Sequence, residues 1–249
     1  MMSFVFSGRF WLVTGAALVV AATTFSLGQW QMGRAAQKQA LQAAISLQAG
    51  QPVLDNAALY AVKNVVDAVH RPVQIRGVWQ AAHTVFLDNR TMGGKTGFYV
   101  LTPLAIEGSA QVVLVQRGWV PRNFTTRTQL PDVPTPSGTV VVGGRIAPPP
   151  SKLYEFKGTE SGRIRQNIAI DQFAIETALA LLPVSLLQTG PSDEGLSRDW
   201  AVPNFGVDKH YGYAFQWFAL CALVVGLYAW FQIINPIRLK NRAIPRSSF

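Results

Sequence analysis

His210-Tyr211-Gly212-Tyr213-Ala214-Phe215-Gln216-Trp217-Phe218 opens an apolar run that continues without a formal charge to residue 234. About 24 uncharged residues are enough to cross a hydrocarbon core as a helix. The run therefore reads as a membrane span over residues 211–234, with a ligand-capable imidazole at its threshold. On a helix, His210, Tyr213, Ala214 and Trp217 share one face. Small Ala214 would leave room beside the ring, and the two aromatic side chains line the same side. That suits an axial ligand to a flat apolar macrocycle, because haem iron accepts a histidine nitrogen. It also suits an interfacial histidine among the aromatic residues with which membrane helices meet water. The residues alone leave both readings open.

A second apolar run covers residues 10–27. Its small, polar stretch Ala21-Ala22-Thr23-Thr24-Phe25-Ser26 would also serve a cleaved signal peptide. The run is longer than a usual signal core and only Arg9 precedes it, so it reads as a retained span. Charge placement supports a two-span protein. Arg9, Arg238, Lys240, Arg242 and Arg246 lie outside the two runs, whereas all 13 acidic residues lie between them. The formal charge of +9 is thus partly a topology signal, and no nucleic-acid partner is expected. Basic residues after the second run place the C-terminus in the cytoplasm. The chain then divides into a transmembrane helix (10–27), an extracytoplasmic β-rich domain (28–210), a second transmembrane helix (211–234) and a basic cytoplasmic tail (235–249). The lipid bilayer is the first partner this implies.

Between the spans, residues 30–47 read as a helix continuing out of the membrane, with Trp30 at headgroup depth and a weak apolar stripe through Met32, Ala36, Ala40, Ala43 and Leu47. Then the period changes. Residues 71–79 alternate through Val73, Ile75, Gly77 and Trp79, as a half-buried strand does. Residues 84–87, 98–101, 111–115 and 139–146 continue as short strands. Turn chemistry separates them: Asp88-Asn89, Gly93-Gly94, Pro103 and Glu107-Gly108-Ser109. Residues 130–138 and 148–162 read as loops and 191–209 as a polar connection. Asp171 reads as the N-cap of a helix running to about Leu182, followed by a last strand over 183–187. The fold class expected is α+β: two transmembrane helices flanking an extracytoplasmic antiparallel β-sheet or small barrel.

Few constellations carry chemistry. The one cysteine, Cys221, is inside the second span, so the central domain holds no disulfide, Cys-x-x-Cys site or thiol nucleophile. His70 and His83 read as surface or turn residues rather than ligands, having no cysteine or paired carboxylate beside them. Gly93-Gly94-Lys95-Thr96 lacks the spaced upstream glycine of a phosphate loop and reads as a hairpin turn. No Gly-x-Ser-x-Gly or Ser-x-x-Lys pattern occurs, which argues against a membrane-tethered hydrolase and for a protein that is not an enzyme. Asp88-Asn89-Arg90 and Arg117-Gly118-Trp119 each read as the end of a strand. Arg90 and Arg117 stand there either in structural ion pairs or as binders of carboxylates such as haem propionates.

Four blocks, in order, resemble the surfeit-locus (Surf) family of cytochrome c oxidase assembly factors over nearly the whole chain. They are Leu27-Gly28-Gln29-Trp30-Gln31 with Arg34 and Lys38; Asp88-Asn89-Arg90 with residues 97–104; residues 113–121 around Arg117-Gly118-Trp119; and residues 210–218. Gln116 departs from the family's usual asparagine but keeps the amide. The resemblance implies two membrane helices around an extracytoplasmic domain, in bacteria anchored in the inner (cytoplasmic) membrane with that domain on the periplasmic side. It implies a non-enzymatic role in maturing the haem-copper oxidase core, with haem a as a transient cofactor and His210 as its axial iron ligand. Tyr213 and Trp217 would then pack near the ring. The partners implied are oxidase subunit I and a haem A synthase. The alternative is a haem-independent membrane chaperone that steadies an oxidase intermediate.

Overall fold

The computed structural model describes residues 8–123, 130–154, 162–192, 194–200 and 205–242, with residues 240–242 described by backbone alone. Arg246, residues 155–161 of the loop expected over 148–162, and residues 193 and 201–204 of the connection expected over 191–209 lie outside the described residues. Two compact units are present: a helical one from both ends of the chain and a β unit over residues 44–203.

The β unit is a mixed sheet closed into a small barrel. Seven strands occur in chain order: β1 (Pro72–Trp79), β2 (Val85–Met92), β3 (Lys95–Ile106), β4 (Val112–Pro121), β5 (Thr139–Ala147), β6 (Ile164–Arg165) and β7 (Leu181–Gln188). The sheet order is β1-β5-β7-β4-β3-β2-β6, and an extra pairing of β1 with β3 closes a five-stranded ring. β3 forks to make this possible. Its residues 95–101 pair with β2 and its residues 104–106 pair with β1, so one edge serves two neighbours. Pro103 sits at the fork, where the ladder changes partner and a missing N–H costs least. It therefore lies within a strand rather than in the expected turn.

An antiparallel sheet was the expectation; β4 and β7 run parallel, as do β2 and β6. Parallel neighbours need a long connection. Here it comprises β5, β6, the aperiodic segments around them and α3 (Ile170–Thr177). α3 also differs from the expected helix. Ala169 rather than Asp171 occupies its N-cap, and Ala178 in a left-handed conformation stops it well before Leu182, so β7 begins at Leu181. A short helix, α2 (Asn56–Ala61), is capped by Asp55, whose carboxylate accepts the Ala58 N–H at 2.7 Å.

The core sits on both sides of the sheet. Val73, Ile75, Trp79, Val113, Val115 and Leu186 fill one apolar cluster, while Leu87, Leu101, Leu114 and Phe173 of α3 form another. β4 is buried on both faces over its first eight residues. Both arginine motifs, expected at strand ends, instead lie within strands at β-bulges. On β2, Asp88 and Asn89 together oppose Phe98, with Asn89 at φ +59°. On β4, Arg117 is the extra residue between Gln116 and Gly118. A bulge re-aims the side chains beside it, which is how these two strands turn charged groups inward. The β2–β3 turn is the two-residue Gly93-Gly94 loop, both at positive φ, as a tight hairpin of that twist requires.

In the helical unit, α1 (Gly8–Ala49) is one continuous helix through both the apolar run and its polar extension. α4 (Val207–Tyr228) passes through a π-helical stretch, Ala229–Ile234, into α5 (Asn235–Arg242). Each contains a segment long and apolar enough to cross a bilayer, and almost nothing of either segment is buried within the protein. Leu12 and Phe215 each expose 73% of their surface. Such faces call for an apolar surrounding rather than water.

Candidate functional site

α4 begins at Val207, so His210 lies inside the helix, in its first turn, rather than before it. The residues by which α1 meets α4 recur at alternating spacings of three and four, the period of a helix pair. Thr14, Ala21, Thr24, Gly28 and Gln31 belong to this stripe on α1. The two helices run antiparallel along it. Thr14 Oγ1 and Tyr228 Oη share a hydrogen bond of 2.9 Å, the Cys221 thiol donates to the Ala21 carbonyl at 3.4 Å, and the Phe25 and Phe218 rings lie 5.7 Å apart. Close approach depends on Gly28, where a Cβ would lie 2.5 Å from Cε1 of Phe218.

At the end of this seam the His210 imidazole meets Gln31. Nδ1 and the Gln31 Oε1 are 2.7 Å apart, with the ring half-buried. One residue on, the Tyr211 hydroxyl donates to the Gln39 Oε1 at 3.1 Å. The expected stripe divides on folding. Ala214 is 2% exposed, so it leaves no room beside the imidazole; its small size serves helix packing instead. Tyr213 is turned outward and 52% exposed, and Trp217 is half-buried. The other ring nitrogen of His210, Nε2, is not engaged by Gln31. Among the described residues no group of three or more His, Cys, Asp or Glu could enclose a metal ion. A single imidazole with apolar neighbours fits haem ligation through one nitrogen, and does not fit a caged metal ion.

Arg90 and Arg117 are engaged within the β unit. Arg117 has no exposed surface; its guanidinium donates to Thr135 Oγ1 at 2.8 Å and the Pro134 carbonyl at 2.7 Å, and pairs with Glu194 at 3.0 Å. Arg90, 4% exposed, donates to the Ser151 and Gln166 carbonyls, each at 2.8 Å, and lies 5.7 Å from the Tyr99 ring centre. Burial pushes its guanidinium below the usual value, with Tyr99 acting in the opposite sense. Both groups are spent on tying loop segments to the barrel, and neither presents its fork to a carboxylate ligand. Glu194 also pairs with Arg198 at 3.1 Å, and Arg198 donates to the Arg117 carbonyl at 2.8 Å.

The other two histidines stand in turns. His70 takes φ +77°, and its Nδ1 is buried without a hydrogen-bond partner among the described residues. Burial first, and the nearby charge of Arg145 second, lower its pKa. His83 ends a 3-10 turn, Ala81–His83, and contributes with Arg165 to holding the Glu176 carboxyl below its usual range, the Arg165 hydrogen bond being the larger cause. Gln116 uses its amide within the sheet, donating to Ser185 Oγ at 2.8 Å across the parallel β4–β7 pair.

Sequence reasoning placed Gln31 in a notable block and gave it no role. Its partner lies 179 residues away, and no local pattern reports such a contact.

Comparison with known proteins bears on these same segments. Surfeit locus protein 1 of Arabidopsis thaliana is 31% identical over 118 residues, which is 43% of this chain and 33% of that protein. Surfeit locus protein 1 of Rattus norvegicus is 31% identical over 130 residues, covering 45% and 42%. Cytochrome oxidase assembly protein SHY1 of Saccharomyces cerevisiae is 25% identical over 109 residues, covering 44% and 28%. The matched stretch spans less than half the length of each of these relatives. The model of the SURF1 family matches residues 18–222, a range that holds Gln31, the whole barrel and His210. With most of its length so matched, the chain belongs to the SURF1 family.

Proposed function

We propose that this protein is a membrane-anchored, non-enzymatic assembly factor for cytochrome c oxidase that holds haem a through His210 and assists its delivery to, or retention in, subunit I. The name of the yeast relative supports the oxidase as the assembly handled. The observation that carries the haem reading is the His210–Gln31 contact, which fixes one ring nitrogen and leaves the other to coordinate. A bound haem would supply an iron that accepts that nitrogen. Tyr213 and Trp217 would offer apolar surface beside it, and a single protein ligand would let the cargo leave.

Two apolar helices support anchoring in a membrane, which in a bacterium is the inner one. Arg9 and Arg238, flanking the apolar segments, favour cytoplasmic ends and a β unit on the periplasmic side. A haem A synthase, as the source of the cargo, is the second protein partner of this reading.

An absorbance spectrum of protein purified from cells that make haem A, wild type beside His210→Ala, tests it. A bound-haem spectrum that is lost or strongly altered in the variant is the expected result. No haem in either sample overturns it. The inward commitment of Arg90 and Arg117 favours a second reading, in which the β unit steadies an oxidase intermediate without haem. That reading expects His210→Ala to assemble oxidase normally.

A further inference from the structure

We infer that Gln31 is a positioning residue that holds His210 in the tautomer protonated at Nδ1, and thereby presents Nε2 as the ligand atom; the ligand half of this rests on the haem reading above. The donor and acceptor roles follow from the atoms that meet. The Gln31 Oε1 carries no proton, so at 2.7 Å the imidazole Nδ1 must donate. A neutral imidazole with its proton on Nδ1 has its lone pair on Nε2, the form that coordinates iron without first losing a proton. In water the side chain prefers the opposite tautomer, with the proton on Nε2. Left to solvent, His210 would therefore spend most of its neutral population with that nitrogen blocked.

What holds Gln31 in place is the seam behind it. Gly28, one turn earlier on α1, sits against Phe218, two turns beyond His210 on α4, and Ala214 between them is buried. The helices thus approach closely one turn before the polar pair, which fixes the distance from which the amide reaches across. Tyr211 and Gln39 repeat the same cross-helix contact beyond the pair. The half-buried setting of the ring strengthens a hydrogen bond that bulk water would contest. A histidine ligand is ordinarily oriented by a partner on its other nitrogen, and loss of that partner costs about 10- to 100-fold in affinity. In this chain the partner comes from α1 and the ligand from α4.

The test uses nitrogen NMR of the full chain, haem-free, in detergent micelles with labelled histidine, the His210 signals identified by their loss in His210→Ala. Wild type is expected to show the Nδ1-protonated tautomer at neutral pH. Gln31→Leu is expected to shift the ring to the Nε2-protonated form, and Gln31→Glu, which retains an acceptor, to keep the wild-type pattern. An Nε2-protonated ring in wild type, or a Gln31→Leu spectrum identical to wild type, overturns the inference. Titration of the same three proteins with haem reads the ligand half: Gln31→Leu should bind about 10- to 100-fold more weakly, with Gln31→Glu near wild type. Expected tautomers with no haem binding by wild type would sink the haem reading and the ligand half, while the positioning of the ring would stand.

Discussion

Trp119 donates its indole N–H to the backbone carbonyl of Arg90 at 2.9 Å. Each of these residues follows a bulge, one on β4 and one on β2, and β3 runs between the two strands. The bond therefore ties the two bulged strands across their shared neighbour. Trp119→Phe keeps the ring but removes the donor at a site 5% exposed. It should destabilise the β unit by about 1–3 kcal/mol, read as a lower melting temperature of the full chain in detergent. An unchanged melting temperature would show that the tie carries no stability.

Arg117→Lys should be far from conservative. The guanidinium lies 4.8 Å from the Trp79 ring centre while bonding Thr135, Pro134 and Glu194 at once. A lysine ammonium has neither the planar face nor the fork to reproduce this. The expected loss is about 3 kcal/mol, with faster amide hydrogen exchange over residues 130–135. Exchange confined to its wild-type rate there would contradict the role of Arg117 as the tie for that segment.

The seam of the helical unit makes a compensation prediction. Gly28→Val places carbon where the Phe218 ring now lies and should destabilise the pair by about 1–3 kcal/mol. Phe218→Ala removes the obstacle. The double variant should recover part of the loss in a thermodynamic cycle, whereas strictly additive effects would mean that the two sites do not touch.

His70 predicts a pH dependence. Its pKa in the folded chain is lowered from the ordinary 6.5, by burial and then by Arg145. The unfolded chain thus binds the proton more readily, and stability rises with pH in this window. The contribution is intact above about pH 6.5 and is lost as the pH falls through the folded value. His70→Asn, which tolerates the positive φ, should flatten the fall in melting temperature between about pH 7 and pH 5. An equally steep fall in the variant would assign the effect to other groups.

Much of the β unit was legible in the sequence, and particular residues show where that ends. β1 reads correctly because Val73, Ile75, Gly77 and Trp79 are buried and the residues that alternate with them are exposed. Gly93-Gly94 reads correctly because a two-residue loop of that twist demands positive φ. β4 reads only in its first half, as the strand expected over 111–115, because Leu114 faces one cluster and Val113 and Val115 the other, leaving no alternation to follow to its end at Pro121. Asp88-Asn89 misleads because the same chemistry serves a chain reversal or a bulge, and only the partner strand decides between them. The parallel β4–β7 pairing hides in long connections that carry no period. At the candidate site, His210 stood out by its context, whereas Arg90 and Arg117 looked available only until their loop partners were in place.

The His210–Gln31 contact joins residues 179 positions apart, and the whole barrel lies between them in the chain. During synthesis Gln31 emerges early and waits, while the imidazole arrives only after the last strand has been made. A nascent chain that stalls or is clipped within the β unit never acquires the pair. The contact is thus formed only in finished molecules, a proof of completion as well as a support for one ring.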